Sequence, residues 1–230
     1  AHNSACLYCK QPTMLKYKTR IWVMAGSTGK GEELNEERCY LPINPLALPK
    51  QTHSDNVCYV THGCRPDDTD AVYTDVPGLC LAVKTADCIP VLLYDNKLRS
   101  IAAIHAGWKG TVKRIVEKTI HAMGSDGKDI SAIIGPGISM DSFEVGDEVY
   151  QQFLEAGFPM PEISCQMPNV QTGINKWHID LWKANQWLLE QLGVTDIHIA
   201  GIDTMTSPLF YSARRETINT GRNYNWIEIM

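Results

Sequence analysis

The sequence predicts an α+β domain, and three observations carry the prediction. Short Val- and Ile-rich segments bounded by Gly, Pro, Asp or Asn crowd the middle of the chain, and helical periodicity appears chiefly after residue 110. Strands and helices do not alternate in the βαβ order that a doubly wound sheet requires. Neither an internal repeat nor a linker-like break in composition divides the chain, so one domain is expected over residues 14–230.

In chain order, strands are expected over 20–25, 57–61, 71–74, 79–85, 89–94, 99–105, 130–135 and 197–201. Residues 26–50, with Gly26, Gly29, Gly31, an acidic patch from Glu32 to Glu37, and Pro42, Pro45 and Pro49, read as loop. One amphipathic helix is expected over 111–123: Val112, Ile115, Val116, Ile120 and Met123 recur at three- and four-residue steps, and Gly124 closes it. A second helix is expected over 147–156. A third starts behind Asp180 as N-cap, with Leu181, Ala184, Leu188 and Leu192 on one face before Gly193.

The chain has 230 residues, 44% of them hydrophobic and 20% charged, which excludes disordered and fibrous classes. A net charge of -5 argues against nucleic-acid and anionic-membrane partners while leaving room for a small anionic ligand. No apolar run reaches the ~18 residues of a membrane helix. Residues 1–13 show neither a basic n-region nor an apolar h-region and read as a processed or appended tail. Eight cysteines, most inside apolar segments, fit a reduced, cytoplasmic protein rather than a disulfide scaffold. The pair Cys6 and Cys9 lacks the second CxxC that a four-ligand zinc site needs.

The densest chemical signal lies between residues 51 and 110. His53 precedes a strand, Cys88 stands between two apolar strands, and His105 ends one before the turn Ala106-Gly107-Trp108-Lys109-Gly110. Two imidazoles and a thiolate make a three-ligand zinc set with a fourth position open. Each residue also has a plain structural reading: Cys88 as a small buried hydrophobe, His53 as a loop side chain, His105 as a backbone-bonded strand end.

The segments Thr85-Ala86-Asp87-Cys88-Ile89-Pro90-Val91 and His105-Ala106-Gly107-Trp108-Lys109-Gly110 resemble the signatures of the YfiH-like family, also called the laccase-domain or polyphenol oxidase family. The resemblance extends from about His53 to Arg222, through Gly135-Pro136-Gly137-Ile138, Phe143-Glu144-Val145-Gly146, Asp180-Leu181, Phe210-Tyr211-Ser212-Ala213-Arg214-Arg215 and Thr220-Gly221-Arg222. It implies packed mixed β-sheets with helices outside, a CNF-like sandwich, and one zinc per chain on His53, Cys88 and His105. It also implies phosphorolysis of adenosine, inosine and related nucleosides such as methylthioadenosine to the base and ribose 1-phosphate, with adenosine deamination beside it. Two departures stand out. Gly26-Ser27-Thr28-Gly29-Lys30-Gly31 lacks the arginine of relatives, and Met205 replaces a frequent cysteine.

The residues fit this chemistry in part. An open zinc site brings a water's pKa toward neutrality, as attack on purine C6 needs. Asp87 is the nearest carboxylate by sequence, either a proton carrier or a strand-end hydrogen-bonder. Arg214, Arg215 and Arg222 form the main basic cluster of this region, either a phosphate seat or ordinary surface cations. Two other functions use the same residues. A copper-dependent polyphenol oxidase would load copper at this site, with Met205 as a conceivable axial ligand, although none of the seven histidines lies two residues from another as a trinuclear cluster requires. A hydrolase acting on a cell-wall precursor would use Cys88 as nucleophile and His105 as base, and metal content separates it from the zinc reading. Trp108, beside His105, packs against a ligand ring or caps the core. Trp177, Trp182 and Trp187 drift around a helix and read as packing.

Overall fold

The computed structural model describes residues 14–31 and 45–230. In chain order the strands and helices are β1 (Leu15–Lys16), β2 (Val23–Ser27), β3 (Leu46–Ala47), β4 (Val57–Tyr59), β5 (Ala71–Thr74), β6 (Cys80–Thr85), β7 (Ile89–Asp95), β8 (Ile101–Ala106), α1 (Trp108–Val112), α2 (Ile115–Met123), β9 (Ile130–Ile134), β10 (Glu144–Val145), α3 (Asp147–Glu155), α4 (Met160–Ile163), β11 (Ser164–Pro168), β12 (Asn175–Ile179), α5 (Leu181–Gln191), β13 (Asp196–Ile199) and β14 (Asn223–Ile229).

They form three mixed or antiparallel sheets, in strand orders β1-β2-β14-β6-β3, β13-β9-β7-β8-β5-β4 and β10-β12-β11. Successive side chains on a strand face opposite ways, and β7 shows what that does. Leu92 and Tyr94 join Val72, Ile101, Ala103 and Ile133 in a core shared with Val23, Ala25, Leu81, Val83, Ile227 and Ile229 of the five-stranded sheet. Val91 and Leu93 face the other way, into a core with Ile115, Val116 and Ile120 of α2, Phe153 of α3 and Leu188 of α5. Both faces of the six-stranded sheet are thus covered, which is why β7 is buried at every position and reads as a continuous apolar run. The result is an α+β sandwich with helices packed outside it.

Several expectations need correction. Residues 111–123 are not one helix: α1 and α2 meet at Arg114, whose φ of 62° puts it in the left-handed region. Tertiary contacts hold that break, because the Arg114 guanidinium lies 5.5 Å from the ring centroids of both Phe158 and Trp187 and donates to the Ala156 carbonyl at 3.0 Å. The first long strand runs over Val23–Ser27, later than 20–25, and Leu46–Ala47 inside the expected loop pairs in parallel with β6. Cys6, Cys9, the patch 32–37 and Pro42 lie outside the described residues. The C-terminal strand β14, absent from the expected set, sits centrally between β2 and β6. Gly26 is required there, since a Cβ would fall 2.8 Å from the Trp226 indole. The N-cap at Asp180 forms as expected, accepting from the Lys183 amide. The five described cysteines are free thiols, and no helix among the described residues is long and apolar enough to cross a membrane.

Candidate metal centre

Two loop segments and a strand end deliver the three expected ligands to one point. His53 sits in the segment before β4 with φ of 62°, Cys88 in the bend between β6 and β7, and His105 near the end of β8. Their ligating atoms all lie within 4.8 Å of one another, somewhat wider than the ~3.5 Å spacing around tetrahedral zinc. His53 Nε2 is 3.9 Å from Cys88 Sγ, and the two imidazoles meet edge to face with centroids 5.0 Å apart. His105 is buried, Cys88 half-buried and His53 exposed, so the cluster opens to solvent on the His53 side. Gly107 closes the other side: a Cβ there would stand 3.0 Å from Cys88 Sγ and 3.2 Å from the His53 ring. Donor chemistry and room both fit a single zinc or copper ion.

Charge is arranged around the same atoms. Burial alone would push the Cys88 thiol up, but the imidazoles of His105 and His53 outweigh it and bring it down to about 6. Burial would likewise lower His105, yet the Cys88 thiolate and Asp70 raise it to about 9. A thiolate beside an imidazolium that is oriented by a carboxylate is also the layout of a cysteine hydrolase, and committing the thiolate to a metal removes it as a nucleophile.

Asp87 is not on a strand. It lies in the bend with φ of 92°, a strained conformation for a non-glycine residue. Its Oδ1 accepts from the Thr204 hydroxyl at 2.7 Å and its Oδ2 from the Arg214 amide at 2.7 Å, so the residue beside Cys88 ties down the C-terminal loop. The three arginines lie outside the strands. Arg215 spends its guanidinium on the carbonyls of Thr204, Met205, Ser207 and Phe210 and on Glu216. Arg222 turns back to the carbonyls of Ile218, Thr220 and Gly221. Exposed Arg214 donates to the Glu144 carbonyl at 3.3 Å and lies 5.6 Å from the Phe143 ring centroid. The Met205 thioether meets the Ser212 hydroxyl at 3.8 Å. Trp108 packs, partly buried, against the helix-side core.

Two hubs escaped the sequence reading. Asp70 binds His105, and Asp203 accepts from the Ser139 amide and hydroxyl, the Ser142 hydroxyl and the Met205 amide, joining the loop after β9 to the loop after β13. Asp70 lies in an acidic run that reads as a solvated turn, and Asp203 follows a strand end without flanking histidine or cysteine, so neither carried a sequence signal.

A strand-end cluster of two imidazoles and a thiol, on a sandwich with outer helices, defines an enzyme scaffold able to carry one metal ion. Residues 30–230 match the family described as multi-copper polyphenol oxidoreductase laccase, and the chain belongs to this family, to which the YfiH-like resemblance pointed. It is 43% identical over 206 residues to a purine nucleoside phosphorylase of Bacteroides thetaiotaomicron, across 80% of this chain and 73% of that one. It is 37% identical over 201 residues to adenosine deaminase RL5 of an unknown prokaryotic organism, across 80% and 75%. The hypothetical protein YfiH of Bacillus licheniformis superposes with a TM-score of 0.84 at 27% identity, over 96% of this chain and 98% of that one. YlmD of Geobacillus stearothermophilus shares the fold, with a TM-score of 0.78 at 24% identity over 91% and 92%. The chain is an enzyme.

Proposed function

We propose that this enzyme processes purine nucleosides at a single zinc held by His53, Cys88 and His105, cleaving adenosine or inosine with phosphate and deaminating adenosine. The observation that carries the reading is the Asp87 bridge, whose carboxylate accepts from the Arg214 amide at 2.7 Å and so ties the loop of Arg214 to the turn that holds Cys88. The names of the two relatives, a phosphorylase and a deaminase, support it from outside.

When bound, zinc supplies a Lewis acid that brings a water's pKa toward neutrality for attack on purine C6. The chain's own residues do the rest. His105 is kept in one tautomer by Asp70, and His53 is presented from the open side. In phosphorolysis a phosphate oxygen bonds to ribose C1′ as the C1′–N bond breaks, and the base leaves with the electron pair and takes up a proton. Arg214 seats the phosphate, because its guanidinium has one carbonyl partner while those of Arg215 and Arg222 are engaged in holding the loop. With both oxygens already accepting hydrogen bonds, Asp87 acts as a positioning residue for Arg214.

The family's description favours a second reading, a copper-loaded site oxidising phenols. The deciding experiment is product analysis by chromatography after zinc-loaded protein meets adenosine with and without phosphate, beside Cys88→Ala. Adenine and ribose 1-phosphate formed only with phosphate, inosine formed in either case, and the loss of both in the variant are expected. Intact adenosine together with phenol oxidation by the copper-loaded protein would overturn the nucleoside reading.

A further inference from the structure

We infer that Asp70 is the positioning residue that assembles the metal centre, holding both His53 and His105 with one carboxylate. The inference rests on the metal reading of the site. Asp70 is fully buried immediately before β5, where nothing but protein can satisfy its charge. Its Oδ1 accepts from the amides of Thr52 at 3.0 Å and Ser54 at 2.9 Å and from the Ser54 hydroxyl at 2.8 Å. Its Oδ2 accepts from the His53 amide at 3.1 Å and from His105 Nδ1 at 2.6 Å.

These contacts have two consequences for the ligands. Three successive amides converge on one carboxylate, and this fixes His53 in its left-handed conformation, which a β-carbon-bearing residue adopts only when its surroundings impose it. The carboxylate, which can only accept, also requires the proton of His105 on Nδ1 and leaves Nε2 to face Cys88 and a metal. The backbone reinforces this, because the His105 amide donates to the Asp70 carbonyl at 2.7 Å. A buried carboxylate behind a ligating histidine fixes ring orientation and raises ligand basicity, and losing such a partner commonly weakens metal binding about 10- to 100-fold. Asp70 goes further than an ordinary partner of this kind, since the same side chain also sets the backbone of a second ligand.

The test uses the full chain and zinc alone. Zinc affinity is measured by competition with a chromophoric chelator for wild type, Asp70→Asn and Ser54→Ala, with folding checked by circular dichroism. Asp70→Asn keeps the volume but turns an amide toward donors, so about 10- to 100-fold weaker zinc binding is expected. Ser54→Ala removes one contact on the far oxygen and is expected to change affinity by less than about threefold, since Asp70 keeps its other bonds. Unchanged affinity in a folded Asp70→Asn would overturn the role of Asp70 alone, whereas a wild type that takes up no zinc would overturn the metal reading as well. Should the variant fail to fold, nitrogen-15 NMR of histidine-labelled wild type with zinc still decides. A His105 ring protonated at Nδ1 and coordinated through Nε2 supports the inference, and coordination through Nδ1 sinks it.

Discussion

Gly107 shows how narrow the tolerance at the centre is. A methyl group at this position meets the Cys88 sulfur and the His53 ring rather than a yielding surface side chain, so Gly107→Ala is expected to weaken zinc binding about tenfold by displacing two ligands. Isothermal titration on the folded variant checks this, and wild-type affinity would count against the geometry. Asp203 offers a test in pH. Burial would raise its carboxyl, but hydrogen bonds from Ser142, Ser139 and Met205 outweigh it and hold it below the usual range. A carboxyl depressed in the folded state contributes stability above its unfolded pKa and loses it as pH falls through the folded value. Asp203→Asn is therefore expected to cost about 1–3 kcal/mol at pH 7 and progressively less below about pH 4, as measured by urea denaturation at both pH values. At this scale the three candidate ligands were singled out because the motifs around Cys88 and His105 resemble a family's signatures, whereas their spacing alone marks no site. Their supporting carboxylates were not singled out, since Asp70 follows Asp67 and Asp68 and looks like a solvated face. Nor could the sequence distinguish Arg214 from Arg215, whose roles diverge only once the loop carbonyls surround one of them.

Among the elements, the break between α1 and α2 shows why periodicity overreached. The apolar spacing of Ile115, Val116, Ile120 and Met123 is real and all four are buried, but nothing in that spacing reports a single left-handed residue. Arg114 holds the turn through its stack on Phe158 and Trp187, so two substitutions separate its strain from its contacts. Arg114→Ala keeps the unfavourable φ and loses the stack, and is expected to destabilise by about 2 kcal/mol. Arg114→Gly loses the same contacts but relieves the φ, and is expected to cost about 1 kcal/mol less than the alanine variant. Thermal melts of the pair check the order, and a more stable alanine variant would show that the break carries no strain. β14 went unread for the opposite reason. Asn223, Asn225 and Glu228 interrupt its apolar signal, although all three are buried. Asn225 is satisfied inside the sheet by Ser27 and Thr85, a partnership spanning 198 and 140 residues of chain that no local window can register.

At the scale of the whole molecule, the α+β class and the succession of central strands were readable because β5 to β9 are short, apolar and bounded by turn residues. Which strand neighbours which was not, because pairing between distant segments leaves no local mark. The five-stranded sheet makes the point, since its middle strand comes from the far end of the fold. Trp226, 1% exposed, anchors that strand, and Trp226→Ala is expected to cost about 3–5 kcal/mol. Chemical denaturation checks this, and a loss under 1 kcal/mol would mean that β14 is held by its hydrogen bonds alone.

The central place of β14 also bears on how the protein is made. Every other strand among the described residues, and His53, Asp70, Cys88 and His105, is translated before it. Until β14 arrives, β2 and β6 are adjacent to a gap and keep facing edges unpaired. The six-stranded sheet can pair without β14, yet one of its faces stays uncovered while its partner sheet is incomplete. A chain in which β14 has not yet docked thus leaves an apolar sheet face uncovered, which makes such partly folded chains prone to aggregation.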